Sequence, residues 1–435
     1  MIVVALLQAG ERYYNASAPV TGWPWLWLTV VKLLVIFTIL MVTIAYLTLA
    51  ERKIAAWIQD RIGPNRVGKG WGQPLADGLK NIMKEETLPD AANKLIFMLA
   101  PLLAFTPALI TFAVIPFASP LPTRWGYMEM VLADIPIGFL YILAVTSVGV
   151  YGIVLAGWSS NNKYALLGGL RSSAQMVSYE VAMGMATVAV LLLAGNVSLP
   201  AIVRQQQTMG WNVFPLMIAC FVFIVASFAE TNRLPFDLAE AESELIAGYH
   251  TEYSSFKFSM FFIAEYSNMI TAAALTATLF FGGWDIPGTQ WDNTPPWTVL
   301  KTMVTLGAFL VKTFFFIFLF MWVRWTLPRF RYDQLMALGW KVLLPLVLAY
   351  ITIIGGAVLA LDALGIPRSV QILGMSPYWA ILGMLNMVLA VALLILLDRG
   401  RLVSPSATRL SSGELARERA ARVTRRAPAP PQGVL

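Results

Sequence analysis

One cysteine and one histidine occur in 435 residues, and charged residues make up only 13% of the chain. Each scarcity excludes a class of chemistry. Cys220 alone cannot form a disulfide, hold zinc or ligate an iron–sulfur cluster within this chain. His250 alone cannot build a multi-histidine metal or haem site, and neither a Rossmann glycine fingerprint nor a Walker loop is present to cradle a nucleotide. No self-sufficient catalytic set is visible, so any redox centre must belong to a partner. The N-terminal MIVVALLQAGERYY lacks the basic lead of a secretory signal and the Arg/Ser-rich pattern of a transit peptide, so the first apolar span is expected to be retained.

What is plentiful is apolar. Hydrophobic residues reach 58% and the mean hydropathy is +0.68, far outside the range of soluble domains. The fold class is therefore all-α, a polytopic membrane helix bundle. Nine segments are long enough to cross a bilayer, at about 17–25 residues per span: 26–50, 95–117, 134–157, 178–195, 213–229, 258–282, 301–323, 341–361 and 378–397. The Lys and Arg residues between them alternate in density. Of the 31, twenty-four fall on one set of connections, five (Arg12, Arg124, Arg204, Lys301, Arg368) on the other, and Lys32 and Lys312 lie inside spans, either snorkelling or buried in the bundle. By the positive-inside rule the N-terminus is outside and the C-terminus inside.

The inside connections carry most of the information. In 70–86, Leu75, Leu79, Ile82 and Met83 recur at helical spacing, with Lys80, Lys84, Glu85 and Glu86 mostly opposite, which predicts a helix lying on the membrane surface. The outside loop 283–299, with Trp284, Trp291 and Trp297 among prolines, reads as an interfacial aromatic belt. The organisation expected is a 1–25 outer segment, a 26–361 eight-span core, an additional helix at 362–397, and a 398–435 basic tail whose composition argues for disorder.

Three constellations bear chemistry. The first, ERKIAAWIQDRIGPNRVG at 51–68, crowds Arg52, Lys53, Arg61 and Arg66 beside Trp57 at a span end. Such a site suits a ligand with an apolar tail and a polar head, though it also suits lipid phosphate. The second, 229–252, packs Glu230, Asp237, Glu240, Glu242, Glu244 and Glu252 between two apolar segments. If Pro235 opens a helix, Asp237, Glu240 and Glu244 form one stripe. The helix dipole accounts for Asp237 and for part of Glu240. It does not account for Glu244, placed at a like-charge spacing from Glu240. Clustered carboxylates raise one another's proton affinity, so a proton relay and a solvated acidic face both fit. The third is the set of acids within or at the ends of spans, Glu180, Glu230 and Glu265, which are costly in a bilayer and mark either a functional path or a buried acid satisfied by a neighbouring Ser, Tyr or Arg.

Five strings, ERKIAAWIQDRIGPNRVG, QPLADGLKNIMKE, LRSSAQMVSYEVAMG, AETNRLPFDLAEAESELIAGYHTEYSSFKFSMFFIAEYSNM and RYDQLMALGWKVLLPL, occur in order over residues 25–361. They resemble the H-subunit (subunit 1) family of NADH:quinone oxidoreductase, respiratory complex I. The resemblance implies a quinone chamber with Arg52, Trp57, Arg61 and Asp77 at its entrance. It also implies a relay of Glu180, Glu230, Asp237, Glu240, Glu242, Glu244, Glu252 and Glu265, with Arg233 as counter-charge. Quinone would be the substrate, and FMN and iron–sulfur clusters would sit only in partner subunits. The partners implied are the other complex I subunits and the lipid bilayer, with no nucleic acid, and the location a bacterial inner membrane. The helix and tail after 361 lie beyond the family's eight-span core. The competing readings are a mere anchor for a redox arm, a stand-alone carrier, and the membrane component of an energy-converting hydrogenase.

Overall fold

The computed structural model describes residues 19–66, 68–237, 248–289, 291–292, 295–366, 368 and 376–398. Its internal contacts divide the chain into two units, Met1–Asn386 and Met387–Leu435, and the described part of the second is the remainder of the last helix. In chain order the helices are α1 (Trp23–Ile58), α2 (Gln73–Met83), α3 (Lys94–Ile110), α4 (Gly138–Ser159), α5 (Lys163–Ala194), α6 (Leu199–Met209) and α7 (Met217–Glu230). They continue with α8 (Ser255–Phe280), α9 (Val299–Thr326), α10 (Tyr332–Ala363, with a π-helical stretch at Leu338–Leu343) and α11 (Pro377–Asp398). Among the described residues, eight helices (α1, α3–α5 and α8–α11) are long and apolar enough to cross a bilayer. The chain is thus a multi-pass helical membrane protein.

Besides α1, which runs on to Ile58, and α10, which already starts at Tyr332, two spans depart from their sequence-based limits. The segment expected at 213–229 yields only the 14 residues of α7, about 21 Å of helix against an apolar thickness of about 30 Å. The chain turns through 212–216, with Leu216 outside helical angles, so the helix begins only at Met217. The segment expected at 178–195 grows instead to the 32 residues of α5. Its first half is rich in glycine and serine, which lowers hydropathy without ending the helix. Those small residues serve close packing: a Cβ on Gly168 would stand 2.6 Å from Gly248 Cα. The loop carrying Tyr249 and His250 rests directly on α5 as a result.

A small hairpin was not legible beforehand. β1 (Ala118–Thr123) and β2 (Gly126–Met130) run antiparallel, with Thr123 opposite Gly126. Lys32 of α1 is half-buried against this hairpin and donates from Nζ to Glu129 O at 3.0 Å and to Val131 O. Lys312 of α9 is likewise turned inward, its Nζ donating to Phe281 O, Gly283 O and Asp285 O at 2.7, 3.0 and 2.6 Å. Both ammonium groups are held by backbone carbonyls of the connections between spans. The residue pattern read at 70–86 does form a helix, α2, and its Leu75, Leu79, Ile82 and Met83 side chains are exposed.

The first turns of α11 are built into the larger unit. Tyr350 OH donates to Asn386 Oδ1 at 2.7 Å, Trp379 Nε1 donates to Trp211 O at 2.7 Å, and the Trp379 ring stacks on Phe214. Most of the basic tail lies outside the described residues, as do residues 1–18 of the N-terminal segment.

Candidate functional site: a buried charge cluster beside an apolar cavity

The acidic link is held in place by its neighbours before any acid is considered. Helix α7 ends at Glu230, where Thr231 Oγ1 donates to Ser227 O at 2.9 Å and Asn232 takes left-handed angles with φ 49°. Gln175 of α5, fully buried, donates from Nε2 to both Ala229 O and Phe236 O at 2.8 Å. That pair of hydrogen bonds fixes 231–237 as turns. A helix opening at Pro235, expected from the sequence, is not formed among the described residues.

Asn232 and the turn then aim Arg233 inward, where it is 2% exposed. Its Nη1 donates to Glu51 Oε2 at 3.1 Å, and its Nε lies 2.7 Å from Glu265 Oε1, an ion contact rather than an aligned hydrogen bond. Glu51, 4% exposed, also receives Arg324 Nη1 and the hydroxyl of Tyr266. The guanidinium of Arg233 sits 4.2 Å from the Tyr266 ring centre. Two arginines therefore face two glutamates, a balanced set drawn from α1, the acidic link, α8 and α9. Burial disfavours the Arg233 charge, yet Glu265 and Glu51 outweigh it and raise its pKa above the ordinary value. Of these residues Arg233 and Glu265 were singled out from the sequence, and Glu51, Arg324 and Tyr266 were not; a lone acid ending a long apolar run was the available signal for Glu51.

Two small pockets border this cluster and a larger cavity lies beside the first of them, neighbouring spaces sharing wall residues. A cavity of about 700 Å³ lies between α1, α2 and the start of α8, walled by Met41, Ala45, Phe256, Phe258 and Ile263, with Arg52, Asp77 and His250 among its polar groups. A small pocket of about 30 Å³ is lined by Arg233, Asp237, His250, Glu265 and Arg324. A second, of about 40 Å³, is lined by Thr146, Glu230, Asn232, Glu265 and Asn268. Each small pocket has room for about one or two waters with polar partners. His250, Phe258 and Phe262 belong to the walls of both the cavity and the first pocket. Glu265, Asn232 and Tyr249 belong to both pockets. Beyond the second, Glu180 receives Ser147 Oγ at 2.5 Å and Thr146 Oγ1 at 3.5 Å, so Thr146 joins it to the pocket wall.

The other residues singled out from the sequence fall as follows. Arg52 pairs with Asp77 at 3.2 Å on the cavity wall, and Asp77 also receives Gln73 Nε2 at 3.1 Å. Trp57 and Arg61 are exposed and are not among the cavity's lining residues. Asp237 lies 3.6 Å from Arg329, and Glu252 receives Asn162 Nδ2 at 2.8 Å, away from the cluster. Glu240, Glu242 and Glu244 lie outside the described residues.

His250 is the one imidazole of the chain, and burial among aromatic rings pushes it from 6.5 down to about 4. The folded chain keeps it neutral while the unfolded chain protonates it below 6.5. Its contribution to stability is therefore complete above that pH and lost as pH falls towards 4, about 3 kcal/mol in all. The thermal midpoint of the solubilised wild type should accordingly drop more between pH 7 and pH 5 than that of His250→Phe. Equal slopes would show that His250 titrates normally.

Fold and site together define a multi-pass helical membrane protein whose charge-balanced cluster adjoins a cavity large enough for an amphiphile. The chain belongs to the NADH dehydrogenase family, whose model matches residues 31–355. It is 51% identical over 331 residues to the H subunit of an NADH-quinone oxidoreductase from Leptospira biflexa, covering 72% of this chain and 90% of the relative. The corresponding H subunit of Flavobacterium johnsoniae is 49% identical over 337 residues, with 76% and 95% covered. An H subunit of Geobacter sulfurreducens, the one numbered 1, is 50% identical over 342 residues, with 75% and 93% covered.

Proposed function

We propose that this chain is the membrane subunit of a proton-pumping NADH:quinone oxidoreductase, forming the quinone entrance chamber and an acidic relay that couples quinone reduction to proton translocation. The observation that carries the reading is the unbroken sharing of wall residues from the cavity through both pockets to Glu230. In this reading the quinone tail lies against Met41, Phe256 and Ile263, and the head points towards His250 and the arginines. The chain is a subunit without a redox centre of its own. FMN and iron–sulfur clusters in partner subunits deliver the electrons.

Reduction of a quinone head changes the charge and proton demand next to Arg233. Because Glu51, Arg233, Arg324 and Glu265 are balanced and mutually paired, an added charge at their edge favours a different pairing. Coupling then works through a bistable set of ion pairs rather than through a wire. Glu265 and Glu230 pass the change inward through the second pocket, and Glu180 lies next in line. Asp237 lines the first pocket, and Glu240, Glu242 and Glu244 are assigned to the same acid set from the sequence. Arg52 and Asp77 flank the entrance, with Trp57 and Arg61 further out at the membrane surface.

The proposed setting is a bacterial inner membrane, N-terminus outside, with the acidic link and α2 on the cytoplasmic side beside the other complex I subunits. The exposed apolar face of α2 then rests in the lipid interface. Residues 26–361 form the working core, 362–397 an additional helix, and 398–435 a basic tail attracted to anionic lipid. Filling the cavity tests the chamber. Ala45→Trp, in the assembled complex, should raise the apparent KM for quinone about tenfold, the equivalent of a clash of about 1–2 kcal/mol, while ferricyanide reduction by the donor module persists. A wild-type KM would exclude the chamber.

A further inference from the structure

His250 raises a question that packing does not answer. The residue is 8% exposed, and its ring meets Tyr249 edge-on at 5.1 Å and Phe258 at 5.4 Å. A phenylalanine would satisfy those contacts without bringing two ring nitrogens out of water. The imidazole has no hydrogen-bond partner among the described residues, and the residue lines open space. That space is the junction of the wide cavity and the first charged pocket, since His250 lines both. A buried polar group without a partner is costly, and the cost is removed when a ligand supplies one.

We propose that His250 is a specificity-determining residue that reads the polar head of the incoming quinone at this junction, an inference that rests on the chamber reading above. A neutral imidazole offers one N–H and one lone pair. The N–H donates to a quinone carbonyl oxygen, and the bare nitrogen accepts from a quinol hydroxyl. The same side chain therefore serves the substrate on entry and the product on exit without changing its own proton count. The rings of Phe258 and Phe262, stacked on each other at 6.0 Å along one side of α8, border the junction and favour a flat ring over a bulky head.

The test uses the assembled oxidoreductase with decylubiquinone as probe, rates being normalised to ferricyanide reduction. His250→Phe should raise KM about tenfold, with kcat falling less, as expected for the loss of one buried hydrogen bond. His250→Asn keeps a donor and an acceptor and should restore most of the affinity, whereas His250→Leu should behave like His250→Phe. A wild-type KM in both apolar variants, with Ala45→Trp still raising it, overturns this inference and leaves the chamber standing. If Ala45→Trp is also without effect, the chamber itself falls. Should His250→Phe fail to assemble, the Asn and Leu variants decide the matter, and equal KM values for those two overturn the proposal.

Discussion

Methionine in place of Arg233 is expected to strip this chain from its assembly. The guanidinium is almost wholly buried between Glu51 and Glu265, and removing it leaves carboxylates at depth with too little positive charge. Breaking a buried pair by deleting one partner costs about 3–5 kcal/mol, because the remaining charge stays buried and uncompensated. Arg324 continues to hold Glu51, so Glu265 bears most of the loss. The expected result is a large fall in the amount of the chain retained after mild-detergent purification and a lower thermal midpoint. The double variant Arg233→Met, Glu265→Gln should recover part of it, because it leaves Arg324 and Glu51 as a balanced pair. Normal retention of the single variant would show that the cluster is hydrated and loosely held.

Glu265→Gln should separate electron transfer from pumping. Glu265 is the acid that lines both small pockets, and its side chain is 25% exposed, unlike Glu51 at 6%. Amidation keeps the shape and removes the charge that faces Arg233. With Glu51 and Arg324 left in place the fold should survive. The proposed relay then loses its central member, and quinone-linked proton uptake into vesicles should fall about tenfold or more, the size of a coupling free energy of a few kcal/mol. Glu230→Gln, one pocket further in, should show the same loss of pumping with a smaller effect on quinone turnover. Unchanged pumping per NADH in Glu265→Gln would end the relay assignment for this residue.

The spans were legible because a bilayer imposes length and hydropathy on any helix that crosses it. The same logic misjudged α7 and α5, since a short helix and a glycine-rich one are both stabilised by packing that hydropathy does not register. Glu265 and Arg233 stood out as charges in or next to apolar runs. Their partner Glu51 is separated from them by about two hundred residues of sequence, and nothing in the local pattern says that α1, α8 and α9 converge there. The turn at 231–237 was misread as a helix start because Pro235 suits one; the deciding contact, Gln175 on two carbonyls, comes from a different element. His250 looked like a surface histidine at a helix end. Only the walls around it give it meaning.

Helix α8, which carries Glu265, is pinned at both extremities. At its start Ser255 Oγ donates to Asn81 O and Lys84 O at 2.9 Å, and past its end the Lys312 ammonium grips Phe281 O, Gly283 O and Asp285 O. A rod clamped this way has no axial stroke, so a piston-like transmission of the redox event along α8 would have to tear out one clamp or the other. In the proposed chamber, an inward signal is therefore expected to travel as rearranged charge and water rather than as sliding of α8.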